Sequence, residues 1–190
     1  MTNPRVALLD AERALAVAEE AGVPGPLAAL NVFRVLLHRP KVAKAMSDLL
    51  LSMLFGGALD DRLREFVIMR IGWATGADYE WTQHWTIARD TFGCSESDLL
   101  ELRDWEASDH FDDTERAVLA LVDETLATGS ASAAAVARCR ELLGSDESVV
   151  ELVAAIGAWR SISQLTRSLE IPLEEGVDSW PPDGRPGGVS

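Results

Sequence analysis

The chain has 190 residues, 47% apolar and 25% charged, enough to bury a sizeable core in one domain with or without a helical extension. Its 31 acidic and 17 basic residues give a formal net charge of −14, a surface that repels phosphate backbones and argues against nucleic-acid binding. Its two cysteines, Cys94 and Cys139, form neither a CxxC motif nor a disulfide framework, and no leader or bilayer-length apolar run is present; a cytoplasmic protein without membrane association is expected.

Helical periodicity runs through most of the chain, and no strand-period segment of useful length competes. Pro4 to Gly22 predicts a first helix, with Leu8, Ala11, Leu15 and Ala18 at helical spacing and a stop at Gly22-Val-Pro. Pro26 to Leu37 predicts a second, closed by His38-Arg-Pro40, and Val42 to Phe55 a third, ended by Gly56-Gly57. Asp60 and Asp61 can cap a strongly periodic fourth helix carrying Leu63, Phe66, Val67, Met69, Arg70 and Trp73, which fades at Thr75-Gly76. Asp78 is placed to cap a fifth, Tyr79 to Thr91, ending at Phe92-Gly93. A short sixth begins at Ser95-Glu-Ser-Asp98, and a seventh opens at Asp113 or Thr114 and runs through Leu126 to near Gly129. The eighth spans Ser132 to Leu143 and the ninth Asp146 to Leu169. From Val177 to Ser190 the composition predicts an extended tail, with Trp180-Pro-Pro able to dock on a surface. The fold class is all-α, a bundle of about eight to nine helices. A weak repeat relates Asp60, Glu65 and Trp73 to Asp146, Glu151 and Trp159 at an offset of 86, which suggests related places in a pseudo-symmetric bundle.

The chemistry-bearing stretch runs from Arg64-Glu65 to Tyr79-Glu80-Trp81-Thr82-Gln83-His84. Glu80 and His84 stand four apart and share a helix face. The short turn from Thr75 to Asp78 folds the fourth and fifth helices antiparallel and brings Glu65 toward that face. Two carboxylates and an imidazole can move protons, the imidazole giving or taking one while a carboxylate fixes its tautomer. Tyr79, Trp81 and Trp85 offer an apolar wall that would raise a carboxyl pKa by desolvation. The alternative is an ordinary pair on a solvated helix face, worth tenths of a kcal/mol. A metal site is the weakest reading, because a single histidine lacks an HxxE or HExxH pattern; no metal is expected.

Glu65, eleven residues, position 77, two residues, position 80, three residues and His84 form a frame that resembles the carboxymuconolactone decarboxylase family of the alkylhydroperoxidase-like superfamily. Peroxidase members of that superfamily carry Glu-x11-Cys-x2-Cys-x3-His. The flanks resemble it too: Asn31-Val-Phe-Arg-Val-Leu-Leu-His-Arg-Pro40, Leu59-Asp-Asp-Arg-Leu-Arg-Glu65, Ala88-Arg-Asp-Thr-Phe-Gly93, Thr114-Glu-Arg-Ala117 and Ile156-Gly-Ala-Trp159. The resemblance covers residues 25–172, leaving 1–24 as an N-terminal helical extension and 173–190 as a Pro/Gly-rich tail. It implies an alkylhydroperoxidase-like helical bundle, a homo-oligomer (trimer or hexamer) and a small-molecule substrate, with no cofactor.

Ala77 and Glu80 occupy the two cysteine positions, so the thiol chemistry of the peroxidase members has no attacking or resolving group here. The resemblance then points to the non-redox branch: a decarboxylase or related lyase or hydrolase acting on a small organic acid or lactone by proton transfer. Carried over by position, His84 is the general acid/base, Glu65 tunes it, and Glu80 is a second acid/base or orienting group. Tyr79 and Trp81 would contact substrate. Among Arg64, Arg70 and Arg89 as cations for a substrate carboxylate, Arg70 joins the candidate set. The rival readings are an alkylhydroperoxidase-like antioxidant activity and a non-catalytic oligomer that binds a ligand or partner.

Other residues read as structural. His38 is expected to meet helix-end carbonyls, His110 to lie in a solvated loop, Cys139 to pack and Cys94 to be partly exposed. Trp73 and Trp159 are expected as core anchors, and Arg160 and Arg167, on one face of the last helix, to pair with core acids first and to face a pocket second.

Overall fold

The computed structural model describes residues 4–188. Ten α-helices and one 3-10 turn follow one another, with no strand among the described residues. Most helix starts are dictated by a capping side chain that satisfies the free N–H groups of the first turn. Asp10 opens α1 (Ala11–Ala21), and the chain before it is not helical, so the first helix is shorter than the periodicity from Pro4 suggests. The predicted second helix is two: α2 (Gly25–Ala28) and α3 (Asn31–Leu36), broken at an extended Leu30. The break is held from far away. The Asn31 N–H donates to Glu174 at 2.7 Å and its side-chain amide to the carbonyls of Pro172 and Leu173 at 3.1 and 3.2 Å.

Pro40 begins α4 (Pro40–Leu54), as its fixed φ favours, and Asp60 caps α5 (Asp61–Thr75) by accepting from Arg62 and Leu63. Gly76, at φ 66°, closes α5 in the left-handed region and allows an immediate return into α6 (Asp78–Asp90). Asp78 does not cap α6; its carboxylate takes the Thr82 hydroxyl, the Ser179 hydroxyl and the Trp180 N–H instead. Capping boxes open α7 (Glu96–Glu101, from Ser95 and Asp98) and α8 (Asp113–Thr128, from Asp112 and Glu115), with a 3-10 turn at Leu102–Asp104 between them. Ser132 caps α9 (Ala133–Leu143) and Ser145 caps α10 (Asp146–Ser168).

Helix α5 is the hub, packed against α6, α8 and α10. Its flanks divide the core. On one side Val67, Ile68 and Ile71 meet Val118, Leu121, Leu152 and Ile156; on the other Phe66, Met69 and Trp73 meet Trp81, Trp85, Leu99 and Leu119. A third apolar cluster joins α1, α3 and α4 to Tyr79 and Ile162. Glu151 accepts from Ala58 at one end of α10 while Thr75 and Gln164 share a cleft at the other, so α10 runs beside α5 in the same direction. The two repeat segments therefore lie side by side, but Glu151 anchors a loop where Glu65 enters a buried cluster.

The C-terminal segment is not an extended tail. It straps across the α5–α6 turn: Trp180 is buried against Trp73 and Trp81, the Trp81 indole donates to the Pro181 carbonyl at 2.7 Å, Arg103 pairs with Asp183 at 2.8 Å, and the Gly188 N–H reaches the Trp73 carbonyl at 2.7 Å. Residues 189 and 190 lie outside the described part.

Candidate functional site

Gly72 sets the site's geometry. A Cβ there would stand 3.0 Å from the Trp81 nitrogen and 3.5 Å from the Glu80 Cβ, so α5 and α6 cross at backbone contact. That approach lets Glu65, two turns up α5, reach His84, one turn beyond Glu80 on α6. The His84 Nδ1 and Glu65 Oε2 are 2.8 Å apart, with Glu65 fully buried and Glu80 and His84 only 4% and 8% exposed. The solvated-face reading of Glu80 and His84 is thereby overturned.

The far side of the imidazole meets a residue that sequence reasoning placed only in the core. The Trp159 indole N–H donates to His84 Nε2 at 3.3 Å, the rings edge-to-face. A donor on Nε2 and a carboxylate on Nδ1 are jointly satisfied by the neutral tautomer with its hydrogen on Nδ1. The only sequence hint was the repeat, which paired Trp159 with a tryptophan of α5.

Burial pulls the His84 pKa down, but the charge and hydrogen bond of Glu65, with Glu80 behind them, outweigh burial and hold it above the ordinary value; Arg64 opposes them. Glu80 makes no hydrogen bond to any described residue. Burial pushes its pKa from the usual range up to about 7, the Glu65 charge adding to this and His84 opposing it. The cluster thus holds a protonatable carboxyl one turn from an imidazole that a second carboxylate supports. Among the described residues no three His, Cys, Asp or Glu side chains converge as metal ligands.

The other candidates are engaged by the protein itself. Arg70 forms a two-pronged ion pair with Asp123 at 2.8 and 2.7 Å and donates to the Leu102 and Arg103 carbonyls, away from His84. Trp81 is fully buried and bonded to the strap. The Tyr79 hydroxyl donates to Glu174 at 2.6 Å and lines a cavity of about 1040 Å³ beneath the C-terminal segment. Arg64 is fully buried: it pairs with Asp61, lies 3.4 Å from Glu65 and stacks over Phe92. Arg89 stays near the surface beside Glu96. None of the three cavities described for this chain is lined by Glu65, Glu80 or His84.

Four smaller expectations change. Cys94 is buried, not partly exposed, and burial lifts its thiol to about 12. His110 is not simply solvated; it contacts Asp98 at 2.6 Å within a half-buried network joining Arg62 to the buried carboxylates of Asp98 and Glu115. His38 contacts the Ala7 carbonyl at 2.8 Å in place of its own helix end. Arg160 and Arg167 make no ion pair among the described residues; Arg160 donates to the Thr125 carbonyl at 3.3 Å.

The helical bundle has known structural counterparts. Residues 40–124 match the carboxymuconolactone decarboxylase family. The chain is similar to an Agrobacterium tumefaciens protein of unknown function described as a candidate AhpD antioxidant defence protein, at 25% identity over 72% of this chain and 94% of that one, TM-score 0.63. A peroxidase-related protein of Ralstonia eutropha with an AhpD core superposes with TM-score 0.72 at 19% identity, over 92% and 94% of the two chains. The debrominase Bmp8, bound to 2,3,4-tribromopyrrole, does so with TM-score 0.65 at 18% identity, over 86% and 85%. No curated protein matches the chain.

Proposed function

We propose that this chain is an acid/base enzyme, a decarboxylase or related lyase or hydrolase acting on a small organic acid or lactone, whose working groups are His84, Glu65 and Glu80. The observation that carries the reading is the 2.8 Å contact between His84 and Glu65 inside the bundle, with the Glu80 carboxyl poised at about 7 beside it. In this reading His84 takes a proton from, or returns one to, a carbon next to a carbonyl. Glu65 stabilises the imidazolium that forms, and the Glu80 acid protonates the developing oxyanion or carbanion. The three groups are sealed in the single chain, so turnover requires a local opening at the α6–α10 contact where Trp159 covers His84.

A thiol peroxidase mechanism finds no support in this chain. Ala77 and Glu80 stand in the frame positions, Cys94 and Cys139 are buried and unpaired, and burial raises both thiols away from the reactive thiolate. We also read the chain as a homo-oligomer, trimer or hexamer. Val150 and Val153 on α10 and Leu49 and Phe55 on and after α4 are exposed apolar side chains of the kind a subunit contact covers; light scattering on the purified protein tests this.

The catalytic reading is tested with a panel of β-keto acids and carboxylated lactones, following carbon dioxide release and α-proton exchange with solvent deuterium by NMR. His84→Asn is expected to lower kcat by about 10²–10⁴-fold and Glu65→Gln by less. Wild-type protein that neither exchanges nor decarboxylates any member of the panel overturns the proposal.

A further inference from the structure

The C-terminal half of α10 carries polar residues that neither the core nor the acid/base cluster uses. Arg160, Ser163, Gln164 and Arg167 recur at steps of three and four, so they share one face. With Thr75 from the last turn of α5, and Ser168, they line a cleft of about 450 Å³, a volume suited to a small ligand.

Three observations mark this cleft. Both arginines are without an acid partner among the described residues, in a chain with 31 acids and 17 bases. Glu170, one turn after Arg167, is taken by Arg5 at 2.6 Å. The Ser163 hydroxyl is 1% exposed at residue level, lines the cleft and has no hydrogen-bond partner. A buried hydroxyl without a partner is costly, and a ligand oxygen would satisfy it. The cleft walls then offer two guanidinium forks with an amide and hydroxyls that can donate, and the two positive charges favour an oxyanion over a cation. At 1.5 Å of rise per residue the two arginine Cα atoms stand about 10 Å apart, within side-chain reach of one small ligand lying between them.

We propose that this cleft is an oxyanion-binding site for a small organic acid, taking a carboxylate or phosphate group between Arg160 and Arg167 with Ser163 donating at its floor. Binding here does not depend on the acid/base reading of His84. The cleft nevertheless begins at Arg160, the residue after Trp159, so an anchored ligand would lie next to the element that covers the imidazole.

The test is isothermal titration of the full chain with succinate and, separately, inorganic phosphate at low ionic strength. Wild type should bind at least one of them, and Arg160→Gln/Arg167→Gln should weaken that binding by about tenfold or more, since charge-assisted hydrogen bonds are lost. Ser163→Ala should weaken it several-fold while keeping or raising the ligand-free melting temperature, which separates ligand contact from folding. Succinate alone binding assigns a carboxylate site, phosphate alone a phosphate site. Arg13→Gln on α1 removes a charge elsewhere and should leave affinity unchanged. No binding of either anion to wild type, or equal losses in Arg13→Gln and the double variant, overturns the proposal.

Discussion

Glu80 holds its proton into the neutral range because burial and the Glu65 charge both oppose ionisation. Between its ordinary value of 4.5 and about 7 the unfolded chain has released a proton that the folded chain still binds, so stability falls as pH rises across that window, by up to about 3 kcal/mol. His84 acts in the same sense: its raised folded value gives a contribution that is full below 6.5 and is lost as pH climbs through that folded value. Glu80→Gln should therefore flatten the decline in melting temperature between pH 4.5 and 7 and melt higher than the parent at pH 8. A variant that melts lower at pH 8 would mean that the ionised Glu80 is stabilising there, against the raised value. Trp159→Phe keeps the packing and removes the donor to Nε2, which favours the neutral ring. The His84 pKa, followed by NMR titration, should rise further; a fall would mean the indole is not donating. In the sequence, the antiparallel return brought Glu65 toward the Glu80/His84 face, and the family resemblance of the 65/80/84 frame, not the spacing alone, made the Glu65–His84 partnership legible. The Trp159 partnership was not legible, because it joins residues 75 apart across two helices whose relative rotation no local pattern encodes.

Helix α5 meets α6 at Gly72, and there the glycine's missing side chain matters more than its poor helix propensity. Gly72→Ala gains about 1 kcal/mol of propensity but places a methyl 3.0 Å from a backbone nitrogen that cannot swing aside. A net loss of about 1–3 kcal/mol by chemical denaturation is expected, with the Glu65–His84 hydrogen bond lengthened. An unchanged midpoint would show that the crossing has slack. Element boundaries were readable where the stop or start signal is local, as with Asp60, Gly76, Ser132 and Gly144. They were misread where the partner is distant. The split between α2 and α3 depends on Glu174 and the carbonyls beside it, and Asp78 is diverted from capping by Ser179 and Trp180.

At the scale of the molecule, the strap from Trp180 to Gly188 closes the aromatic cluster that Trp73, Trp81 and Trp85 begin, with Arg103 stacked over two of the rings. A chain ending after Glu175 should lose at least about 3 kcal/mol, as for deleting a buried tryptophan, and should bind a hydrophobic dye at the uncovered turn. Equal stability with no dye binding would mean the strap is only laid on the surface. Its composition predicted exposure because proline, glycine and acids dominate it; one tryptophan and its hydrogen bonds were enough to reverse the outcome.

The edge-to-face contact of Trp159 with His84 also makes the molecule self-reporting. Of its six tryptophans, Trp73, Trp81, Trp85 and Trp180 stack among themselves and Trp105 donates to Asp123, leaving Trp159 as the one set against an imidazole. An imidazolium quenches indole emission far more strongly than the neutral ring does. Dimming that accompanies protonation of His84 is expected from Trp159 and should vanish in Trp159→Phe, so light from the unlabelled chain would track the charge on the buried histidine in real time.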